Sequence, residues 1–190
     1  MKLRHGLLCA LLLLLGGCVT YTYNGGSYHS ADEALAAQQQ FNDQTLAHVT
    51  RLKHADPGTA LVILPSRSTI EANGVTRTGT PDHKVIDYVV TLLSNDYSYF
   101  PRYLEASGAF AKVENRVVDY PLREAHDAQG KYAAVVYLHM ISPQQVGWFV
   151  LKPGAQAPTA VNFDTMAQAG APRIDSWVKG VVEAGKGGTH

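Results

Sequence analysis

The stretch that decides the fold is residues 59–65, which read TALVILP. The run is apolar without interruption and contains β-branched residues, and a turn-forming Asp56-Pro57-Gly58 precedes it. A strand with one wet face alternates apolar and polar residues, whereas a continuous apolar run is typical of a strand covered on both faces. Residues 59–65 therefore predict the central strand of a sheet that carries layers on both sides.

A long amphipathic helix is predicted after this strand. Residues 66–82 are polar and contain Asn73-Gly74 and Pro81, which indicates a long loop. Apolar residues then follow at helical spacing, and they are Ile86, Val89, Val90 and Leu93. Pro101 predicts a kink or the start of a second helix, because proline lacks an N–H and clashes with the preceding turn. Gly108 is the expected helix stop.

The remaining segments complete one α/β (α+β) sandwich. Ser30 and Glu33 form a capping-box pattern that predicts an N-terminal helix over residues 30–53, packed loosely or serving as a stalk. A single domain is expected over 57–184, with a mixed sheet of about five strands, a long crossover helix and a C-terminal helix. The later strands are predicted at 110–118, 132–141, 145–151 and 159–164, and residues 185–190 as a disordered tail.

The N-terminus has the organisation of an export signal. Lys2 and Arg4 precede an apolar run over 7–15. That run is too short to span a bilayer, which needs about 20 residues, so residues 1–17 are interpreted as a signal peptide. An ordinary secretory peptide with a chance cysteine is the alternative.

The end of this signal reads Leu15-Gly16-Gly17-Cys18, which resembles the lipobox of bacterial lipoproteins. The resemblance implies that Cys18 becomes the acylated N-terminus and that the protein binds a membrane through this lipid. Val19, in place of an aspartate, implies transport to the outer membrane, facing the periplasm. Residues 18–29 are then expected to be a lipidated flexible tether.

Charge and cysteine content exclude several classes of function. The chain has 16 basic and 16 acidic residues, and loss of Lys2 and Arg4 leaves a net charge near −2. No basic patch predicts nucleic-acid binding. Cys9 leaves with the signal, so Cys18 alone remains, and neither a disulfide nor a thiolate metal site is expected.

A second resemblance covers roughly residues 59–141. The predicted helix closes with YLEASGAF at 103–110, and Lys112-Val113-Glu114 opens the next strand. This pattern resembles the periplasmic domains of the TolB N-terminal type, a fold that the lipoproteins CsgG, LpoB and PelC also resemble. It implies the fold and no particular partner. The part from Ser142 onward does not fit those families.

Catalytic, metal and cofactor sites are not expected. The histidines do not form a His-x-x-x-His pair, and the chain has no Gly-x-Ser-x-Gly elbow. Ser66 has only His83 or His126 as a conceivable base, without any motif. His139 lies in a predicted core strand, where a structural histidine is the more common case.

The candidate partner-binding residues are aromatic and crowd the helix around Pro101; they are Tyr97, Tyr99, Phe100 and Tyr103. Aromatic side chains are enriched in interface hot spots, although such rings can equally pack beneath the helix. We expect a membrane-anchored lipoprotein that acts as a non-catalytic protein-interaction or assembly module of the cell envelope, with an envelope protein as its partner. The alternatives are a ring-forming accessory subunit of an export system and a small-ligand carrier or hydrolase.

Overall fold

The structure, a computed structural model, describes residues 20–53, 56–72, 83–142, 145–161 and 170–186. Seven strands and five helices are found in these residues. The strands are β1 (Tyr21–Tyr23), β2 (Gly26–Tyr28), β3 (Asp56–Pro65), β4 (Phe110–Val118), β5 (Ala134–Ser142), β6 (Gln145–Leu151) and β7 (Thr159–Val161). The helices are α1 (Ala31–Ala47), α2 (Arg67–Ile70), α3 (His83–Ala106), α4 (Pro121–Ala128) and α5 (Gly170–Lys186).

Strand β3 is the centre of a five-stranded mixed sheet with the order β4-β3-β5-β6-β7. It pairs in parallel with β4 and with β5, while β6 and β7 continue the sheet in antiparallel fashion. From Ala60 to Leu64 no residue is more than 4% exposed. The predicted fold class, an α/β sandwich built on a central strand at 59–65, is confirmed.

The two faces of β3 are covered by different helices. Ala60, Val62 and Leu64 lie in a cluster that includes residues of α3 and α5. Leu61 and Ile63 lie in a second cluster with Ala125 and Ala128 of α4. The chain moves from β3 to β4 in one direction across the sheet and from β4 to β5 in the other. Crossovers of one hand then require helices on opposite faces.

Helix α3 runs without a break past Pro101 to Ala106, so no second helix begins there. Gly108 follows with a φ of +63°, which agrees with its predicted role as a helix stop. The first part of the predicted loop over 66–82 is helical. Ser66 caps the short helix α2, and its side chain accepts a hydrogen bond from the Thr69 N–H. Its remaining features, Asn73-Gly74 and Pro81, lie outside the described residues.

Residues 21–28 form a hairpin and not the expected flexible tether. Strands β1 and β2 pair through a two-residue turn in which Asn24 and Gly25 both have positive φ. The Tyr23 ring is 4% exposed and lies in a cluster with Tyr88 and Leu92 of α3. Apolar packing therefore fixes a segment that its polarity had suggested was mobile.

The terminal predictions fall mostly outside the described residues. Cys18, Val19 and the predicted signal peptide 1–17 lie there, as do residues 187–190. Helix α5 reaches Lys186, so the disordered tail predicted for 185–190 does not begin at 185. Within the described ranges, no helix is both long enough and apolar enough to cross a membrane.

The core packing gives a first prediction. Phe100 is fully buried, and its ring centroid lies 4.5 Å from that of Trp148. Phe100→Ala should lower the free energy of unfolding by about 3–5 kcal/mol, because it removes the buried ring and leaves a cavity. Urea unfolding followed by tryptophan fluorescence measures this. Arg123→Ala, on an 82% exposed side chain of α4, is the control, with an expected change within about 0.5 kcal/mol.

Candidate functional site

The aromatic residues around Pro101 are core residues in the structure. Phe100 and Tyr103 are fully buried and Tyr99 is 7% exposed. Tyr97 is partly buried, and its ring meets Trp148 edge to face at 6.4 Å. These rings pack α3 on the sheet and on α1, so the folded chain does not present them as a partner surface.

The hydroxyls of two of these tyrosines attach α3 to α1. Tyr103 Oη donates to Asn42 Oδ1 at 3.0 Å, and Tyr99 Oη donates to Asp43 Oδ1 at 2.9 Å. The Arg102 guanidinium lies over the Tyr99 ring, 4.5 Å from its centroid. The rings of Tyr99 and Tyr103 thus pack in the core, and their hydroxyls bond to α1.

A buried polar cluster lies between the same two helices. Gln38 Nε2 and Asn42 Nδ2 donate to Asp96 Oδ1 at 2.6 and 3.0 Å, and Gln38 Nε2 also donates to the Leu92 carbonyl at 2.7 Å. Burial raises the pKa of Asp96 to about 6, although the two amide donors act in the opposite direction. Tyr23 Oη is buried without a hydrogen-bond partner in the described structure, and desolvation raises its pKa.

This cluster changes the interpretation of α1. The sequence predicts a loosely packed helix or a stalk, since its apolar stripe is interrupted by polar residues. In the structure Gln38 and Asn42 are fully buried, and Thr45 is nearly so. Helix α1 is therefore docked on α3 through polar contacts, which an apolar periodicity does not reveal.

A group of hydroxyls surrounds Asp119 where β3 and β4 end. The Ser66 hydroxyl donates to Asp119 Oδ1, and Ser68 Oγ donates to the same atom at 3.2 Å. Thr69 Oγ1 donates to the Asp119 carbonyl oxygen at 3.0 Å. These contacts tie α2 to the end of β4, and Ser66 has no imidazole among its partners in the described residues.

The histidines considered as bases are dispersed. His83 and His126 are exposed, at the start of α3 and in α4. His139 is half-buried on β5, with its ring 6.1 Å from that of Phe149. Among the described residues, no group of three or more His, Cys, Asp or Glu side chains is arranged to hold a metal.

The surface feature with the clearest functional meaning is the outer edge of β4. This strand is nine residues long and ends the sheet, with β3 as its partner on one side. The Val118 carbonyl accepts from the Ser66 N–H on the β3 side. Because backbone groups alternate along a regular strand, Val113, Asn115 and Val117 point their N–H and C=O groups outward.

The two faces of β4 differ in charge. Lys112, Glu114 and Arg116 lie on the α4 side, where Lys112 pairs with Glu114 at 2.6 Å and Arg116 pairs with Glu124 at 2.5 Å. Val113, Asn115 and Val117 lie on the α3 side and are uncharged. A groove of about 410 Å³ runs on that side between α3 and β4; its lining includes Pro101, Arg102, Glu105, Val113 and Asn115.

The exposed apolar residues concentrate at this end of the molecule. Among the large apolar side chains that the structure describes, Val117, Tyr120 and Leu122 are the exposed ones, at 64%, 73% and 39%. All three follow one another closely at the end of β4 and the start of α4. The segment FAKVENRVV at 110–118 contains three charged residues, which indicates a strand with one face exposed to solvent. Its position at the edge of the sheet does not follow from the sequence.

Comparisons with known proteins identify no relative. No family model matches the chain, and neither the curated proteins nor the solved structures contain a match.

The buried carboxyl of Asp96 generates a pH prediction. Its folded pKa of about 6 lies above the unfolded value of 3.8, so the folded state binds the proton more tightly. The stability it contributes is fully present below pH 4 and is lost as pH rises through 6. Asp96→Asn should therefore gain stability over the natural chain between pH 4 and 8, by about 2–3 kcal/mol.

Urea unfolding at pH 4, 5, 6, 7 and 8 measures that difference. Asp127→Asn, on the exposed face of α4, is the matched control and should show no such trend. A constant difference between the Asp96 variant and the natural chain would mean that this carboxyl is ionised throughout the range.

Proposed function

We propose that this chain is a lipid-anchored envelope protein that acts as a non-catalytic protein-interaction module at the periplasmic face of the outer membrane. The observation that carries the proposal is the edge of β4, whose outward backbone groups pair with no other strand of the described residues and lie beside the groove. An exposed edge is a template for another strand. Partners that add a strand obtain affinity from the main chain and specificity from side chains on alternate positions.

The anchor rests on Leu15-Gly16-Gly17-Cys18 and on the position of the hairpin. Tyr21, the first residue of β1, follows Cys18 by three residues. Three residues span at most about 10 Å. An acyl chain on Cys18 would hold the domain close against the bilayer, where a long spacer would have let it range into the periplasm.

The resemblance to TolB-type domains concerns the fold and names no partner. Its residues have structural contacts here. Ser107 Oγ donates to the Leu104 carbonyl at 2.6 Å and accepts from the Ala109 N–H at 3.2 Å, and Phe110 packs in the core. The motif therefore forms the turn between α3 and β4, and it positions the β4 edge that we propose as the binding surface.

Replacing the cysteine tests the anchor. Cys18→Ala removes the acylation site and should move the protein from the membrane pellet to the soluble periplasmic fraction, provided that its signal is exchanged for a cleavable secretory one. Cell fractionation with immunoblotting measures this. The natural chain with its own signal is the acylated reference. The exchanged signal followed by an intact Cys18 lacks the lipobox, should be soluble as well, and controls for the exchange itself. Retention of the alanine variant in membranes would show that the lipid is not the anchor.

Blocking the edge tests the binding surface. Val117→Pro removes an outward N–H without removing a bond to β3, and proline is tolerated on that side of an edge strand. Cross-linking in intact envelopes, followed by purification of the chain and mass spectrometry, should give one or a few specific products from the natural chain. The Val117 variant should lose them.

Arg123→Ala is the matched control, because Arg123 is exposed on α4 and pairs with Asp127 only at 3.9 Å. It should give the natural set of products. Equal products from the Val117 variant and the natural chain would exclude the β4 edge as the binding surface, and no specific product from either chain would contradict the interaction role itself.

A further inference from the structure

We propose that the partner at the β4 edge is a second copy of this chain, paired with β4 in antiparallel fashion about a two-fold axis at Asn115, so that two five-stranded sheets become one. This inference rests on the proposed function, because it takes β4 as the binding surface and names what occupies it. Such an interface is isologous and closed, since each chain offers the same residues to the other.

The backbone permits this pairing. Val113, Asn115 and Val117 have outward N–H and C=O groups. Pairing about Asn115 sets Asn115 opposite its own copy and Val113 opposite the Val117 of the second copy. Each of these pairs exchanges two backbone hydrogen bonds, as facing residues with outward groups do in an antiparallel ladder.

The charges on the α4 side favour this register over its neighbours. Glu114 then faces Arg116 of the second copy, twice, as a non-hydrogen-bonded pair whose Cα atoms are only about 4.5 Å apart. Opposite charges in such pairs are favourable and like charges are unfavourable. The strand is thus complementary to itself in charge when it is centred on Asn115.

Shifting the centre by one residue in either direction removes the complementarity. Centred on Glu114, the pairing sets Glu114 against its own copy and Lys112 against Arg116. Centred on Arg116, it sets two guanidinium groups against each other. Both neighbouring registers therefore place like charges directly opposite each other.

The apolar residues support the same register. Val117 is 64% exposed in the single chain, and the pairing places it against Val113, which is already partly buried beside α3. Cross-strand pairs of β-branched residues stabilise antiparallel sheets. The largest exposed aliphatic side chain of β4 would thereby gain a partner.

The two-fold axis is also compatible with anchoring both chains in one membrane. In a register centred on a residue, facing side chains lie on the same side of the joined sheet, so the axis is perpendicular to the sheet. Both α3 layers, with the β1–β2 hairpins packed on α1 and α3, then lie on the same side. Cys18 precedes Tyr21 of the hairpin by three residues. Because both hairpins lie on one side of the joined sheet, the acyl chains proposed for the two copies of Cys18 could enter the same bilayer.

Charge reversal provides the decisive test, made on detergent-extracted full chain by native mass spectrometry. Glu114→Arg and Arg116→Glu each create like-charge pairs across the axis and should weaken dimerisation about tenfold or more, from a change of about 1.4 kcal/mol. An equimolar mixture of the two variants pairs Arg with Glu at both positions. It should restore the dimer as a heterodimer, which also shows that both variants fold.

Cysteine substitution tests the register in cells. Asn115→Cys places two thiols on facing residues about 5.5 Å apart at Cα, within disulfide range, and should give a dimer of twice the chain mass on a non-reducing gel. Glu114→Cys places them diagonally at about 7–8 Å, beyond that range, and should not. Arg123→Cys, exposed on α4, is the control for random collision.

The outcomes separate this inference from the proposed function. A monomer under all conditions, an unrestored mixture, or stronger cross-linking through position 114 than through 115 overturns the self-pairing. Capture of a different protein through Asn115→Cys overturns it as well, yet leaves β4 as a binding edge. Loss of the envelope products in Val117→Pro with no dimer in the natural chain has the same meaning.

Discussion

Burial of β3 on both faces is the constraint on which the rest of the molecule depends. Its residues Ala60 to Leu64 are removed from water on two sides, and each large aliphatic side chain contributes about 1.5–3 kcal/mol by that burial. One helical layer cannot cover both faces, so the chain must place α3 on one and α4 on the other. The chain crosses from β3 to β4 in one direction and from β4 past β3 to β5 in the other, which leaves β4 as the outermost strand on that side.

The docking of α1 combines apolar contacts, such as that of Ala34 with Tyr88 and Leu92, with a buried polar cluster. Asp96 is buried and its pKa is raised to about 6, so its ionised form opposes the folded state at neutral pH. Gln38 and Asn42 donate to it in a geometry that a shifted helix could not reproduce. We interpret the cluster as a device that fixes the register of α1 on α3 at some cost in stability.

The sequence was sufficient for the elements that apolar periodicity marks. The central strand at 59–65, the strand at 110–118 and the crossover helix follow from runs and spacings, and the mixed sheet follows from their order. The docking of α1 could not be found this way, because Gln38 and Asn42 are buried through a partner 54 or more residues away. Whether the aromatic residues from Tyr97 to Tyr103 are buried or exposed could not be predicted either. Their spacing alone does not show which side of the helix packs against the rest of the protein.

The β1–β2 hairpin was not predicted, although the local sequence contains the pattern of a hairpin turn. Asn24-Gly25 between Tyr-rich segments is the sequence of a type I′ turn, and both residues have positive φ, at 47° and 78°. The glycines of this segment by themselves suggest a mobile tether. The Asn-Gly pair together with the alternating aromatic residues predicts a hairpin. Under the acylation that we propose for Cys18, a folded segment that begins three residues later would tie the orientation of the domain to the membrane.

The two edges of the sheet differ in how much backbone they offer to another strand within the described residues. Within the described residues β7 is three residues long, and short edges offer little to a second strand.

Edge strands are commonly protected by charges, prolines or bulges along the outward side. In β4 the register shift lies at the start, between Asp56 and Thr59 of its partner strand. From Lys112 to Val118 the strand is regular and has no proline, and its three charged side chains all lie on one face. Those charges alternate in sign, so a strand of the same sequence running the other way would set opposite charges against each other when the pair is centred on Asn115. The register shift is confined to the start of β4, and the charges leave its α3-side residues Val113, Asn115 and Val117 uncharged.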